Sequence, residues 1–254
     1  MNKISPSQIN EYVSKNIETF HENRLKSLEG TDLHGLLKKK NPYLFKAKNL
    51  ITAHELVTSF LDAKISSSEE EIFGEFLENL ALFVAQKTKG AAKSSAHGID
   101  FEYSSSKTRF LVSVKSGLNW GNSSQWKALR KDCENASKIL RQSKHTGEVK
   151  HILGICYGRA KTTMKHGFIL QVCGQNFWYL VSGDKSFYTK IIEPLGYRAK
   201  ELNESFLAKK TQLINKFTGD FISEFCDRDG KILWEKIVKY NSGNLTREDE
   251  KELK

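Results

Sequence analysis

The segment from residue 98 to residue 117 constrains the fold most strongly, because two short β-type runs flank a turn-like stretch. The first run begins at Asp100, the second ends at Lys115, and residues 104–107 between them read Ser-Ser-Ser-Lys. This pattern predicts an antiparallel hairpin. Strand side chains alternate between the faces of a sheet. Pairing of the apolar faces should therefore bring four polar side chains together on a solvent-facing surface: Asp100, Glu102, Ser113 and Lys115.

These polar groups indicate a particular chemistry. A lysine beside carboxylates at a strand end is what metal-assisted cleavage of a phosphodiester needs. The residues resemble the motif of the PD-(D/E)XK nucleases, and the sequence from Lys115 to Gln125 is similar to their type II restriction endonuclease branch. The resemblance implies that Asp100 binds a divalent ion, Mg²⁺, and that Lys115 helps to activate water and to stabilise charge on the phosphate.

Ser113 is the position at which the sequence departs from the family pattern, since Asp or Glu normally stands there. Ile99 likewise replaces the nominal proline before Asp100. A hydroxyl is a weaker ligand for a hard dication than a carboxylate. We count Ser113 among the candidate catalytic residues, and we expect either a second carboxylate from elsewhere in the chain or a site with one metal ion.

A helix predicted before the hairpin can supply this carboxylate. Its start is marked at residues 68–71 by a serine followed by three glutamates, a favourable N-terminal sequence. Family members often place a metal-binding glutamate on this helix, and Glu75 and Glu78 are the candidates here. Gly74, four residues before Glu78, resembles the small-residue spacing around that glutamate and favours Glu78. The alternatives are that both glutamates only solvate the polar face, or that Glu102 binds the metal instead of lying exposed.

The net charge of +10 is concentrated in one part of the chain. Residues 107–166 contain thirteen Lys and Arg against three Asp and Glu, whereas the rest of the chain has 27 of each. A concentrated basic region supplies the phosphate attraction of a nucleic-acid-binding protein. The alternative is a solvated basic surface on an ordinary enzyme.

A helix predicted from Gln125 to Lys144 lies within this basic region. Its apolar residues recur at helical spacing and predict one buried stripe: Trp126, Leu129, Cys133, Ala136 and Leu140. Polar residues just before it offer caps, and helix N-terminal N–H groups bind phosphate readily. Asn and Gln can read base edges, adenine in particular, whereas Trp120 either stacks on DNA or anchors the packing. The expected partner is double-stranded DNA, and the predicted DNA-binding residues are Ser116, Asn119, Trp120, Asn122, Ser123, Ser124, Gln125, Lys127, Arg130 and Lys131.

The composition argues against membrane and secreted proteins. No segment approaches the ~20 apolar residues that a membrane-spanning helix requires, and the first residues lack an apolar signal core. The four cysteines are widely separated, with no Cys-x-x-Cys pair, which is typical of free thiols in a reducing compartment. We therefore expect a cytoplasmic protein without a membrane partner.

The expected fold is α/β, with a mixed β-sheet flanked by helices in a restriction-endonuclease-like core and with helical N- and C-terminal additions. We predict a single nuclease domain over residues 1–254. Its parts are a helical region at 1–66, a catalytic core at 67–185 and a helical region at 186–254. Short apolar runs predict further strands at 152–157, 168–172 and 177–181. Helical patterns lie at 52–64, 68–90, 199–222 and 232–240.

The resemblance implies a type II restriction endonuclease that makes Mg²⁺-dependent, sequence-specific double-strand breaks in DNA. A palindromic target is matched by a two-fold dimer, so a homodimer is expected. Two alternatives stay open because one core fold serves several functions. They are a repair or structure-specific nuclease, and a DNA-binding relative that has lost catalysis. The intact Asp100 and Lys115 argue against the second.

Overall fold

The computed structural model describes residues 3–142 and 147–254. The last two residues of the predicted basic helix, 143 and 144, therefore lie outside the described residues. Helices occupy both ends of the chain, and the strands lie in its middle. In chain order the elements are α1 (Pro6–Glu29), α2 (Leu33–Lys39), α3 (Pro42–Ala47), α4 (Ala53–Lys89), β1 (Ala92–Lys93), β2 (Phe101–Ser105), β3 (Thr108–Lys115), α5 (Ser123–Gln142), β4 (Glu148–Ile155), β5 (Thr163–Lys165), β6 (Ile169–Cys173), α6 (Gln175–Ser182), α7 (Phe187–Lys190), α8 (Ile192–Leu195), α9 (Ala199–Phe225), α10 (Trp234–Ser242) and α11 (Arg247–Glu252).

The strands form one mixed sheet with the order β1-β2-β3-β4-β6-β5. β2 and β3 pair antiparallel, with Phe101 opposite Val112, which confirms the predicted hairpin. β4 runs parallel to β3 and to β6, so the carboxyl ends of these three strands meet at one edge of the sheet. The predicted α/β class and the strands predicted at 152–157 and 168–172 are confirmed.

Helices cover both faces of the sheet. Val112 of β3 belongs to the same apolar cluster as Leu80 of α4, whereas Leu111 clusters with Leu129 of α5. The predicted apolar stripe of α5 is thus confirmed. The prediction that Ser113 faces solvent is wrong, because Ser113 is only 1% exposed. Side chains alternate along β3 as predicted, but Ser113 shares its face with Leu111, and α5 packs on that face.

One continuous helix, α4, stands where two were predicted at 52–64 and 68–90. Ser68, expected to begin the second helix, instead donates its hydroxyl to the carbonyl oxygen of Ile65 at 3.0 Å. A serine hydroxyl that is satisfied by the preceding turn can remain inside a helix. The two candidate metal-binding glutamates therefore lie in the second half of a 37-residue helix.

Residues 177–181, predicted as a strand, form most of helix α6. Phe177, Trp178 and Val181 are buried, while Tyr179 is 48% exposed. In a strand Phe177 and Tyr179 would share a face, so the observed burial follows helical spacing. The helix begins after Gly174, whose φ of +54° redirects the chain at the end of β6. The prediction was wrong because a short apolar run is common to buried strands and buried helices.

The chain forms two compact units. The first comprises Met1–Phe20 and Glu71–Ala199, and it contains the sheet and every candidate site residue. The second comprises His21–Glu70 and Lys200–Lys254, is built mainly of helices and has its own apolar core. The single nuclease domain expected from the sequence stays a prediction.

The helices predicted at 199–222 and 232–240 are observed as α9, which is longer by three residues at its carboxyl end, and α10, which is shifted by two residues towards the carboxyl end. Among the described residues, no helix combines the length and the apolar composition that crossing a bilayer requires.

Candidate active site

Asp100 lies immediately before β2 and is held against β3. Its backbone N–H donates to the carbonyl oxygen of Val112 at 2.9 Å. Its side-chain Oδ2 accepts a hydrogen bond from the backbone N–H of Val114 at 2.6 Å. Lys115, the next residue, ends β3. The hairpin thus fixes the carboxylate of Asp100 beside the strand that carries the lysine, as the sequence predicted.

Glu78 of α4 reaches the same place. Its Oε1 lies 4.0 Å from Nζ of Lys115, and both side chains are about one-third exposed, at 33% and 35%. Nζ of Lys115 also lies 6.0 Å from the ring centroid of Trp120. Glu75, one helical turn earlier, is exposed. Of the two helix candidates, Glu78 is therefore the one that the structure brings to Lys115.

The Asp100 carboxylate affects the ionisation of Glu78. Burial, followed by the nearby Asp100 carboxylate, raises the pKa of Glu78 to about 7, and Lys115 opposes this rise. Burial also raises the pKa of Asp100, against the N–H of Val114 and the positive charges of Lys115 and Lys93. A cation bound between two desolvated carboxylates would favour the charged form of both.

Ser113 and Glu102, which were expected beside Asp100, have other partners. The hydroxyl of Ser113 donates to the carbonyl oxygen of Gly98 at 2.5 Å. It thereby ties the segment that enters Asp100 to β3. Glu102 pairs with Nη2 of Arg109 at 2.9 Å, so its charge is neutralised within the hairpin.

Two residues near the carboxylates were not found from the sequence. Lys93 lies on β1 opposite Phe101 and acts on the pKa of Asp100. Cys156 follows β4, and its N–H donates to the carbonyl oxygen of Lys115 at 2.9 Å. Burial raises the pKa of the Cys156 thiol, and the carboxylates of Glu78 and Asp100 raise it further. A two-residue strand gives no sequence signal, and the register that pairs Lys115 with Ile155 and so places Cys156 just beyond Lys115 cannot be determined from the sequence.

The predicted cap of α5 is present. Asn122 Oδ1 accepts hydrogen bonds from the N–H groups of Ser124 at 3.0 Å and Gln125 at 3.1 Å. Gln125 Oε1 in turn accepts from the N–H of Asn122 at 2.9 Å. This reciprocal capping fixes both amide side chains at the N-terminus of α5.

The other predicted DNA-binding residues differ in their exposure and in their side-chain partners. Trp120 packs on Trp126 with ring centroids 4.8 Å apart, as a packing anchor would. Ser116 is half-buried, close to Gly74 of α4. Arg130 Nε pairs with Glu134 at 2.8 Å. The remaining members are exposed: Asn119, Ser123, Ser124, Lys127 and Lys131.

The helix-flanked mixed sheet, with one carboxylate and a lysine on its hairpin and a second carboxylate on the neighbouring helix α4, is consistent with a nuclease of the PD-(D/E)XK restriction type. The family model described as Type II restriction endonuclease EcoO109I matches residues 7–203, and the chain belongs to this family. The matched stretch includes the whole sheet and all candidate site residues. Comparison with curated proteins gives no significant match. Membership implies DNA as the substrate.

Enzymes of this family generally use a divalent metal ion. Within residues 3–142 and 147–254, no group of three or more His, Cys, Asp and Glu side chains is arranged to hold a metal. Mg²⁺, however, usually keeps several waters and needs only one or two protein carboxylates together with substrate phosphates. Asp100 and Glu78, both raised in pKa by burial, fit such an ion.

Proposed function

We propose that this chain cleaves double-stranded DNA in the cytoplasm at a short specific sequence, by Mg²⁺-dependent hydrolysis of phosphodiester bonds. The observation that carries the proposal is the convergence of Glu78 with Lys115 and Asp100. Nζ of Lys115 lies 4.0 Å from Glu78, and Asp100 is close enough to raise the pKa of Glu78.

Each group has a separate role in this proposal. Asp100 and Glu78 hold Mg²⁺, and Glu75 is the less favoured alternative because it is exposed. When bound, Mg²⁺ supplies orientation of water and the scissile phosphate and offsets developing negative charge. Lys115 donates hydrogen bonds to the attacking water or to the transition-state oxygens. Ser113 positions Asp100 through Gly98 and does not touch the reacting atoms.

DNA contact is assigned to the loop after β3 and to the outer face of α5. The exposed lysines at 127 and 131 bind phosphates, and Arg130 joins them when it leaves Glu134. The exposed amide of Asn119 is a candidate for base contact. Asn122 and Gln125 act as a pair, since each caps the other before DNA binds. The full proposed set is Ser116, Asn119, Trp120, Asn122, Ser123, Ser124, Gln125, Lys127, Arg130 and Lys131.

We propose a homodimer, because two-fold symmetry matches a palindromic target. Sedimentation of the protein alone and with a duplex tests this. A mass near twice the 29.0 kDa of one chain is expected.

Digestion of a sequenced plasmid with and without Mg²⁺ tests the main proposal. We expect discrete fragments that appear only with the ion. Random degradation would identify another kind of nuclease, and retarded but intact DNA would identify a binding protein without catalysis.

Matched variants then test the assignment to these residues. Lys115→Ala and Asp100→Asn should lower the cleavage rate at least about 100-fold, which corresponds to about 2.7 kcal/mol or more, while DNA binding persists. Glu78→Gln should act similarly, and Glu71→Gln, an exposed change on the same helix, is the control. Glu75→Gln is compared in parallel. Near-normal cleavage by Lys115→Ala would remove the reaction from this hairpin.

A further inference from the structure

A cleft of about 1060 Å³ is lined in part by residues next to the candidate active site in the chain or in hydrogen bonding. Its floor includes Phe73 and Leu77 of α4 and the thiol-bearing residue Cys156. Leu77 directly precedes Glu78. One wall is the segment 157–161 that follows β4, and the lining also includes the start of α6.

Main-chain hydrogen bonds connect the wall of this cleft to the candidate active site. The N–H groups of Cys156 and Tyr157 donate to the carbonyl oxygens of Lys115 and Ser116, each at 2.9 Å. The segment after β4 therefore runs alongside the segment after β3 beyond the ends of both strands. A substrate bound at Lys115 would therefore lie close to the segment 157–161 that lines the cleft.

Glycines fix the wall of the cleft. A Cβ on Gly117 would lie 2.6 Å from the ring of Tyr157, and one on Gly158 would lie 2.7 Å from Leu118. A Cβ on Gly174 would lie 2.6 Å from the carbonyl oxygen of Gly158. Gly158 and Gly174 also have positive φ angles of +110° and +54°, which residues other than glycine rarely adopt. The segments that follow β3, β4 and β6 thus pack closely, with the Tyr157 and Leu118 side chains and the Gly158 carbonyl group lying against glycine backbones.

The charge of the wall is positive. No Asp or Glu occurs between residues 149 and 183. Arg159 and Lys161 line the cleft and are exposed. Among the described residues, no carboxylate lies within 4.0 Å of either one, whereas Lys190 is paired with Asp184 at 2.5 Å.

We infer that Arg159 and Lys161 bind backbone phosphates of the DNA strand whose scissile phosphate lies at Lys115, and so act as positioning residues. The inference rests on the proposed function. A strand that passes Lys115 carries a phosphate about every 3.4 Å along the helix axis. The two unpaired cations on the adjacent wall suit such a row of charges. Neither residue contacts the reacting atoms.

The test compares Arg159→Ala, Lys161→Ala and the double variant with Lys107→Ala. Lys107 is exposed and precedes β3, so it stands at the opposite end of the strand from Lys115, roughly 26 Å away at about 3.3 Å per residue. Binding of a duplex that contains the target is measured without divalent metal over a range of salt concentrations. Cleavage is measured with Mg²⁺ to obtain kcat and KM.

We expect the double variant to raise Kd and KM about tenfold and to change kcat less than threefold. The salt slope of its binding constant should be shallower by about 1.8, because each phosphate contact contributes about 0.9. Arg159→Lys should restore most of the affinity lost in Arg159→Ala. A double variant that matches Lys107→Ala in Kd and slope would overturn the inference, as would a loss of kcat at unchanged KM. If the wild-type chain cuts no DNA, the proposed function itself fails.

Discussion

The hydroxyl of Ser113 acts inside the protein, on the segment that leads into Asp100. It is buried beneath α5 and donates to the carbonyl oxygen of Gly98. Gly98 has a φ of +73°, and a Cβ there would collide with the side chain of Asp132. The serine hydroxyl and the glycine together determine where the chain turns before the carboxylate. A side chain at the position of a usual metal ligand therefore contributes to the site through the backbone.

Ser113→Ala should lower the free energy of unfolding by about 1 kcal/mol, the usual net value of one hydrogen bond. Cleavage at saturating Mg²⁺ should stay within a few-fold of normal, because Asp100 keeps its bond to the N–H of Val114. Urea unfolding and plasmid cleavage measure the two effects. Ser105→Ala, an exposed change at the end of β2, is the control. A stable, DNA-binding Ser113→Ala protein without cleavage would show that the hydroxyl acts on the reaction.

The raised pKa of Glu78 makes the stability of the protein depend on pH. Its folded pKa of about 7 lies above the ordinary 4.5, so between these values the folded chain binds more protons than the unfolded chain. The contribution of Glu78 to the free energy of unfolding is therefore fully present below about pH 4.5 and declines as pH rises to 7. In the presence of a chelator, the wild-type chain should therefore lose stability between pH 5 and 7 relative to Glu78→Gln.

Urea midpoints of the two proteins at pH 5 and 7 check this expectation. Glu71→Gln, which removes an exposed carboxylate from the same helix, should follow the wild type. A constant difference between the wild type and Glu78→Gln across this range would mean that Glu78 is ionised throughout.

At the scale of the elements, the packing of helix α6 on the sheet requires a glycine in β4. A Cβ on Gly154 would overlap the ring of Phe177, which is fully buried. Trp178 of the same helix donates its Nε1–H to the carbonyl oxygen of Cys156 at 2.8 Å. Helix α6 thus packs on the strand that leads to the cleft.

Gly154→Ala should destabilise the protein by about 1–3 kcal/mol, the usual cost of overpacking a core. Replacing Phe177 by Leu in the same chain should recover part of this loss, since the ring that meets the new methyl group is gone. Gly219→Ala on α9 is the control, because its Cβ meets nothing within 4 Å, and it should stabilise by about 0.5–1 kcal/mol. Equal stability of Gly154→Ala and the wild type would contradict the packing described here.

The elements that the sequence predicted well are those with a local pattern. The hairpin follows from alternation and a turn, and α5 follows from apolar residues at helical spacing and from its cap at Asn122. Helix α6 could not be separated from a strand, because Phe177 to Val181 is a short and wholly apolar run. Ser68 favours the start of a helix in isolation, but within α4 its hydroxyl bonds to the preceding turn.

Prediction of the site was limited in the same way. Asp100 and Lys115 lie on one hairpin, so local pairing brings them together. Glu75 and Glu78 lie one turn apart on the same helix, and only the packing of α4 beside β3 shows that Glu78 lies near Lys115 while Glu75 is exposed. Lys93 lies near Asp100 because the two-residue strand β1, which is too short to detect in the sequence, pairs with β2. Cys156 lies near Lys115 because β4, which is distant in sequence, pairs with β3.

At the scale of the whole molecule, the positive charge is concentrated in one compact unit. Residues 107–166, which carry the excess of Lys and Arg, all belong to the unit that contains the sheet. Phosphate attraction depends on where cations lie as well as on their number. The net charge alone therefore does not determine affinity for DNA.

Two charge-reversed proteins with equal net charge test this. Lys127→Glu with Lys131→Glu, on α5, should weaken DNA binding at least about tenfold and make its salt dependence shallower. Lys200→Glu with Lys216→Glu, both exposed on α9, should leave affinity within about threefold of the wild type. Fluorescence anisotropy with a labelled duplex at several salt concentrations measures both. Equal losses in the two proteins would mean that net charge alone governs binding.

The division of the chain into two units has a consequence for biosynthesis. All residues of the unit that holds the sheet have been made once Ala199 has left the ribosome, whereas the other unit needs both His21–Glu70 and Lys200–Lys254. At about 5–20 residues per second, the intervening stretch takes roughly 6–26 s to translate. During this time Leu56 and Phe60, which end in a core with Phe221, lack that partner. The nascent chain therefore presents apolar helix surface to chaperones well before translation of the second segment begins.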